Sequence, residues 1–243
     1  MNETIKALPA GIIKVPLYRT QNNIYSCLDA NTASPYDVKA RAYEWLVSQY
    51  TYNKVMWGTT PCYYFDFAKQ LLEKEAPLRL DVGCGGLPQT AELYAQLKST
   101  AVLLDSSERM LQLGKRRILK QNKRMPANLL FLQADALHLP FYEEVFDQVM
   151  SFGMIHLFND KAQFIAEALR VLKPKGTFGF SVLTTNRKLS RKYLNLLFEK
   201  GEVGKPVSSG EMLELFHSLG HAFTYYRVGS MLFISGSKQP KNE

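Results

Sequence analysis

From about residue 78 onward, short apolar runs alternate with amphipathic stretches. "LRLDV" (78–82), "TAVLLD" (100–105), "NLLFLQAD" (128–135), "VFDQVMSFGM" (145–154) and "TFGFSVLT" (177–184) are of strand length and read as five strands. Between them, "PQTAELYAQL" (88–97), "SSERMLQLGKRRILK" (106–120) and "KAQFIAEALRVL" (161–172) read as helices. Pro88 suits the first turn of the first helix, where a missing N–H costs nothing. Ser106 or Ser107 supplies the cap of the second and Asn159 or Asp160 that of the third, because a short polar side chain accepts from orphan first-turn N–H groups. In the third helix Phe164 or Ile165, Ala168, Leu169 and Leu172 form an apolar stripe, and Pro174 and Gly176 follow as a stop signal. Strand and helix in alternation build a parallel sheet.

The chain then changes character. "EMLELFHSLG" (211–220) is a helix, and "FTYYRV" (223–228) and "MLFISGSK" (231–238), separated by Gly229 and Ser230, read as a hairpin. The pattern predicts an α/β fold: a doubly wound, mainly parallel sheet of seven strands whose C-terminal strand is antiparallel. Residues 1–76 precede this frame as an extension forming a helical N-terminal cap. Residues 77–243 form the ligand-binding domain, with a cap insertion at about 186–210. Ligands of open α/β sheets lie beyond the carboxyl ends of the strands, where both caps would meet them.

The stretch "LDVGCGGLPQT" (80–90) carries the first chemical signal. Gly83, Gly85 and Gly86 follow a strand and precede a helix, the setting in which a glycine loop has meaning. A dinucleotide fingerprint starting at Gly83 would need glycine where Pro88 stands. Asp81, two residues before the loop, would also repel a pyrophosphate, whereas it suits a ligand carrying an ammonium group and a sulfonium. Asp105 ends the second strand 20 residues beyond Gly85, where a carboxylate can accept both hydroxyls of a ribose. Leu87 occupies a position where glycine is common. We expect Gly85–Gly86 to make the turn and Leu87 to point away from the ligand into the packing of helix on sheet.

These motifs resemble the class I S-adenosylmethionine-dependent methyltransferases, in particular the small-molecule group that includes ubiquinone and menaquinone C-methyltransferases. The resemblance covers about residues 78–185. It implies a Rossmann-like methyltransferase fold with S-adenosyl-L-methionine as cofactor and S-adenosyl-L-homocysteine as product. Asp81, Gly83, Cys84 and Gly85 would then meet the methionyl part, Asp105 and Ser106 the ribose, and Met110 the adenine. In "QADALHLPF" (133–141), Asp135 would approach the adenine amino group and Ala136 offer a backbone donor. In "FDQVMSFGMIHLFND" (146–160), Ser151 and Phe152 would face the methyl, and His156 is the candidate base for an acceptor that carries a proton.

Composition narrows the classes further. The chain of 243 residues has no apolar run of membrane-spanning length and no signal-like N-terminus, so a cytoplasmic protein is expected. Cys27, Cys62 and Cys84 offer neither a disulfide framework nor a metal site. Part of the net charge of +8 lies in "GKRRILKQNKR" (114–124), which reads as the solvated face of an amphipathic helix. Tyr36, Tyr43, Trp45, Tyr50, Tyr52, Trp57, Tyr63, Tyr64, Phe65 and Phe67 crowd the N-terminal region. They suggest a lid over a small apolar or aromatic acceptor, or packing of helices on the sheet. Two other readings stand beside the small-molecule methyltransferase: an RNA or protein methyltransferase using the positive surface, and a non-catalytic adenosylmethionine-binding partner subunit. No RNA-binding module is recognisable, so the expectation is against nucleic acid.

Overall fold

A computed structural model describes residues 11–28, 46 and 48–240. Strands β1 (Tyr18–Arg19) and β2 (Tyr25–Ser26) come first, and helix α1 (Pro61–Leu72) follows a short helical turn at Tyr50–Tyr52 and a π-helical segment at Asn53–Trp57. The alternating body is β3 (Leu78–Val82), α2 (Ala91–Gln96), β4 (Thr100–Asp105), α3 (Glu108–Asn122), β5 (Leu129–Gln133), β6 (Phe146–Phe152), α4 (Lys161–Arg170) and β7 (Leu172–Leu183). Helices α5 (Lys188–Glu199) and α6 (Ser209–Ser218) precede the hairpin β8 (Ala222–Val228) and β9 (Met231–Ser237).

One sheet contains them in the order β1-β2-β5-β4-β3-β6-β7-β9-β8. The seven expected strands are present, with β3 to β7 parallel and β9 antiparallel to β7 and β8. Among the described residues the count rises to nine because residues 18–26 add a pair at the edge of β5. There Tyr25 stands beside Leu132 and Ser26 beside Gln133 in parallel register. Two-residue strands leave no periodicity to read, which is why the pattern missed them.

Each side of the sheet buries alternate residues of the same strands, as the period of two requires. Leu80, Val82, Val102 and Leu104 face Phe164, Ile165, Ala168 and Leu169 of α4 and Met212 and Phe216 of α6. Ala101, Leu103 and Phe131 face Tyr94 of α2 and Leu111 and Ile118 of α3. Helix α1 lies on this second side with Phe67 and Leu71 against Met150 and Phe233. A Cβ at Gly179 would fall 2.1 Å from Leu71 Cδ1, so the small residue in β7 is what lets α1 approach.

Local signals set most boundaries. Ser107 caps α3 by accepting from Met110 N, and Asp160 caps α4 by accepting from Gln163 N. Ser208 and Glu211 form a reciprocal capping box at α6. Helix α2 starts later than Pro88 suggests, at Ala91, after a turn over residues 88–90 that follows the left-handed Leu87 (φ 57°).

A buried arginine fastens α1 to the body. Arg79, 3% exposed at the start of β3, directs its guanidinium at the carbonyls of Leu71, Leu72 and Lys74 just where the helix ends, and at the side chains of Gln148 and Ser99. The cation answers the negative end of the helix dipole and satisfies carbonyls that the helix leaves open. Removing it strands several acceptors at once. Arg79→Met should therefore lower the unfolding free energy by about 2–4 kcal/mol in urea titrations.

Candidate cofactor and acceptor site

The carboxyl ends of β5, β4, β3, β6 and β7 lie side by side in that order, and the candidate residues fall along them. After Val82 the chain turns with Gly83 at φ 73° and Gly85 at φ 55°. The turn is pinned to the neighbouring strand, since Gly83 N and Cys84 N both donate to Leu104 O at 2.7 and 2.9 Å. Asp105 then accepts from Gly85 N through Oδ2 and from Ser107 N through Oδ1, both at 2.9 Å. A carboxylate accepts up to about four hydrogen bonds, so bracing the loop and receiving a ribose diol are compatible roles.

The two glycines of the loop are glycine for different reasons. A Cβ on Gly83 would meet Met154 Sδ at 1.6 Å, so that position is closed by a side chain arriving from beyond β6. A Cβ on Gly85 would meet nothing within 4 Å, so its outer side opens on free space. Leu87 is fully buried among Tyr94, Leu111, Ile118 and Phe131 and points into the packing of α2 and α3 against the sheet. Its left-handed backbone is unusual for a branched side chain. Room for that side chain comes from Gly114 in the middle of α3, where an added Cβ would lie 3.1 Å from Leu87 Cγ.

Toward β5 the structure brings Asp105, Ser106, Met110, Asp135 and Ala136 together. Ala134 N donates to Asp105 O, and Gln133 Nε2 to Ser106 O. Met110 is buried in the first turn of α3. The Asp135 carboxylate accepts from Leu137 N at 2.9 Å and pairs with His138 Nδ1 at 2.7 Å in an exposed arrangement. Ala136 is buried beside it.

Toward β7, Ser151 is fully buried and its Oγ has no hydrogen-bond partner. Phe152 ends β6, and Gly153 N donates to Ser181 O and Oγ. Tyr64 of α1 faces this turn, its ring Cε1 lying 3.7 Å from where a Gly153 Cβ would be. Tyr64 Oη reaches Met231 Sδ at 3.5 Å, and its ring sits edge-on to Phe233. Phe67 meets Phe152, Tyr226 and Phe233, while Trp57 meets Tyr52 and Tyr193 of α5. The aromatic residues of the N-terminal region thus pack a helix on the sheet and, at Tyr64, wall the strand ends. Tyr36, Tyr43 and Trp45 lie outside the described residues, and Tyr50 and Tyr63 are exposed.

His156 follows the end of β6 by four residues and is buried. It lies in a 3-10 turn, Ile155–Leu157, 7% exposed, with Nδ1 unpartnered and its carbonyl accepting from Gly204 N. Burial, aided by the nearby Lys161 ammonium, lowers its pKa to about 3, so the imidazole is neutral and weakly basic at ordinary pH.

Three positioning contacts carry no sequence signature. Tyr94 Oη donates to Asp81 Oδ2 at 2.7 Å, Arg117 holds Gly86 O, and Lys115 Nζ holds the carbonyls of Asn22 and Asn23 at the β1–β2 turn. Two cations of the basic stretch are therefore fastened to backbone, which the reading of that stretch as a solvated face did not foresee.

A glycine loop after the first central strand, a carboxylate ending the second and a buried acid two residues before the loop gather at the strand ends, where open α/β sheets hold their ligands. The comparisons identify the domain. Residues 80–180 match the family described as a methyltransferase domain. Over 130 residues the chain is 34% identical to demethylmenaquinone methyltransferase of Lactobacillus johnsonii, covering 52% of each chain. The chain spans about half the length of that relative. A methyltransferase from Thermotoga maritima shares the fold (TM-score 0.58, 20% identity, 82% of this chain and 99% of that one). So does geranyl diphosphate C-methyltransferase of Streptomyces coelicolor, solved with S-adenosyl-L-homocysteine (TM-score 0.58, 13% identity, 74% of this chain and 77% of that one). Residues 80–180 therefore carry a methyltransferase domain with the fold of S-adenosylmethionine-dependent enzymes, and S-adenosylmethionine is the cofactor of this domain. The residues fit it: Asp81 Oδ1 on β3 is buried without a partner, and Gly85 in the loop that follows opens on free space.

Two outcomes test the packing and the titration. Gly114→Ala should destabilise the protein despite alanine's better helix propensity, and the same change in a Leu87→Gly background should cost less or stabilise; a double-mutant cycle in urea measures the difference. For His156 the folded pKa lies below the unfolded value of 6.5, so the unfolded chain binds the extra proton. Its contribution is complete above pH 6.5 and lost as the pH falls toward 3. The stability of His156→Gln relative to wild type should improve steadily across that window.

Proposed function

We propose that the protein transfers a methyl group from S-adenosylmethionine to a small, apolar or aromatic acceptor. The observation that carries this reading is the wall beside the glycine loop. Met154 rests on Gly83, Tyr64 faces Gly153, and Phe152, Phe67, Met231 and Phe233 continue the surface behind them. Such side chains bind through apolar contact and by edge or face of a planar ring. The demethylmenaquinone methyltransferase of Lactobacillus johnsonii is named for an acceptor of that chemistry, as is the ubiquinone/menaquinone C-methyltransferase of Pseudomonas putida.

The cofactor supplies an activated methyl on a sulfonium, whose departing thioether needs no proton. The protein's share is then mostly geometric: to hold donor and acceptor in line and to exclude water. Asp81 and the loop fix the methionyl end, Asp105 the ribose, and Asp135 with Ala136 the adenine. The Gly153 turn, tied to Ser181, sets the floor on which the acceptor lies. His156, the candidate base, is buried and weakly basic, so we assign the proton of an acidic acceptor to solvent or to a group on the acceptor itself.

The test is to incubate the protein with methyl-labelled S-adenosylmethionine and a panel of demethylated quinones, isoprenoid phenols, small phenols and total RNA. Label is expected in the organic-extractable products, and label in RNA alone would overturn the acceptor class. Asp105→Ala should weaken binding of S-adenosylhomocysteine by more than about tenfold, the loss of charged hydrogen bonds worth about 1.5–3 kcal/mol. Equilibrium dialysis measures it.

A further inference from the structure

Asp81 is a buried acid that the described residues leave without a cation. It is 1% exposed on the central strand β3, with Leu103 of β4 on one side in the sheet and Met150 of β6 on the other. Helix α2 offers it one group, the Tyr94 hydroxyl, which donates to Oδ2 at 2.7 Å. Oδ1 is buried and has no hydrogen-bond partner. The charged and titratable groups nearby do not balance it. Asp105 on β4 is a like charge, and Cys84 in the loop is a thiol. Arg79, two residues back on the same face of β3, is committed to the carbonyls at the end of α1 and to Gln148. Among the described residues no lysine, arginine or histidine forms an ion pair with Asp81.

Taking the proposed cofactor as its starting point, we propose that Tyr94 is a positioning residue for the cofactor's ammonium group: its hydroxyl holds one oxygen of Asp81, turns the other to the ligand, and makes cofactor binding release a proton. The balance is simple. Without ligand the Asp81 carboxyl carries a proton for much of the time, since desolvation and Asp105 bring its pKa up to about 7 against the pull of the tyrosine hydrogen bond. When an ammonium group arrives at Oδ1, the carboxyl O–H breaks, an ion pair forms in its place, and the proton leaves to the buffer. Tyr94, itself fully buried and held far from ionisation by the same surroundings, remains a donor throughout. Its hydroxyl stabilises the carboxylate in both states and so sets the pH at which the exchange becomes easy.

The sign follows from linkage. A ligand that requires the carboxylate binds more tightly as pH rises toward the pKa of the free site, by up to about tenfold per pH unit, and levels off above it. The experiment is isothermal titration of the full chain with S-adenosylhomocysteine between pH 6 and 8.5, in buffers of different ionisation enthalpy, so that the released protons are counted directly. Wild type should release close to one proton per ligand at the acid end and few at the alkaline end. Tyr94→Phe, which keeps the ring in its packing, should shift that release to higher pH and bind several-fold more weakly at pH 7. Asp81→Asn should release none and show a flat profile.

The outcomes separate the two claims. A wild-type protein that binds with a flat pH profile and no proton release overturns the inference and leaves the cofactor reading intact. A Tyr94→Phe protein with wild-type proton release and affinity overturns the tyrosine's part, whatever its melting temperature. Absence of binding by wild type overturns the cofactor reading itself.

Discussion

Two amide hydrogens share one carbonyl at the centre of this protein. Gly83 N and Cys84 N both point at Leu104 O, and that convergence forces the chain leaving β3 to curl against the end of β4 rather than run on into solvent. Everything placed at the site inherits its position from that curl. Asp105 reaches Gly85 because the loop has been drawn to it, and Asp81 lies buried on β3 two residues before the loop. The backbone conformations needed are left-handed at Gly83, Gly85 and Leu87, and at the last of these a side chain's steric cost is offset by packing.

The residues that were legible beforehand are those whose role depends on a strand end or a helix start. A run of apolar residues stopping at Asp105 locates that carboxylate at the sheet's edge, and a hydroxyl before a helical stripe locates Ser107. Leu87 was readable as well, because a large apolar side chain within a glycine loop has few places to go. What stayed hidden was determined by distance along the chain. Nothing in "AELYAQL" distinguishes a core tyrosine from one whose hydroxyl meets Asp81, and Arg117 among its basic neighbours looks like any other surface charge. The depression of His156 likewise depends on how deep its turn lies, which a family position alone does not reveal.

The N-terminal part of the chain serves two ends of the sheet at once. Residues 18–26 complete the β5 edge, and the segment around Trp57 meets the turn between β8 and β9. Ser230 N donates to Trp57 O at 2.7 Å there, and Ser190 of α5 joins the same cluster by bonding Met56 O and receiving Ser230 Oγ. A Cβ on Gly229 would fall 2.2 Å from Trp57 O, so the hairpin turn and the N-terminal segment are in direct backbone contact. The aromatic wall at this end of the sheet is therefore assembled from pieces far apart in sequence, whereas the side with the glycine loop is largely made by successive strands.

That difference bears on how the molecule comes into being. A chain made from its N-terminus outward exposes residues 18–26 long before β5 exists to receive them, and Trp57 long before the last hairpin arrives. The cofactor half can take shape as its strands emerge, since each pairs with a neighbour recently made. The half around Trp57 must wait for β8 and β9. During that interval the sheet would be formed on one side and open on the other, which gives the glycine-loop half an opportunity to act as a template for the rest.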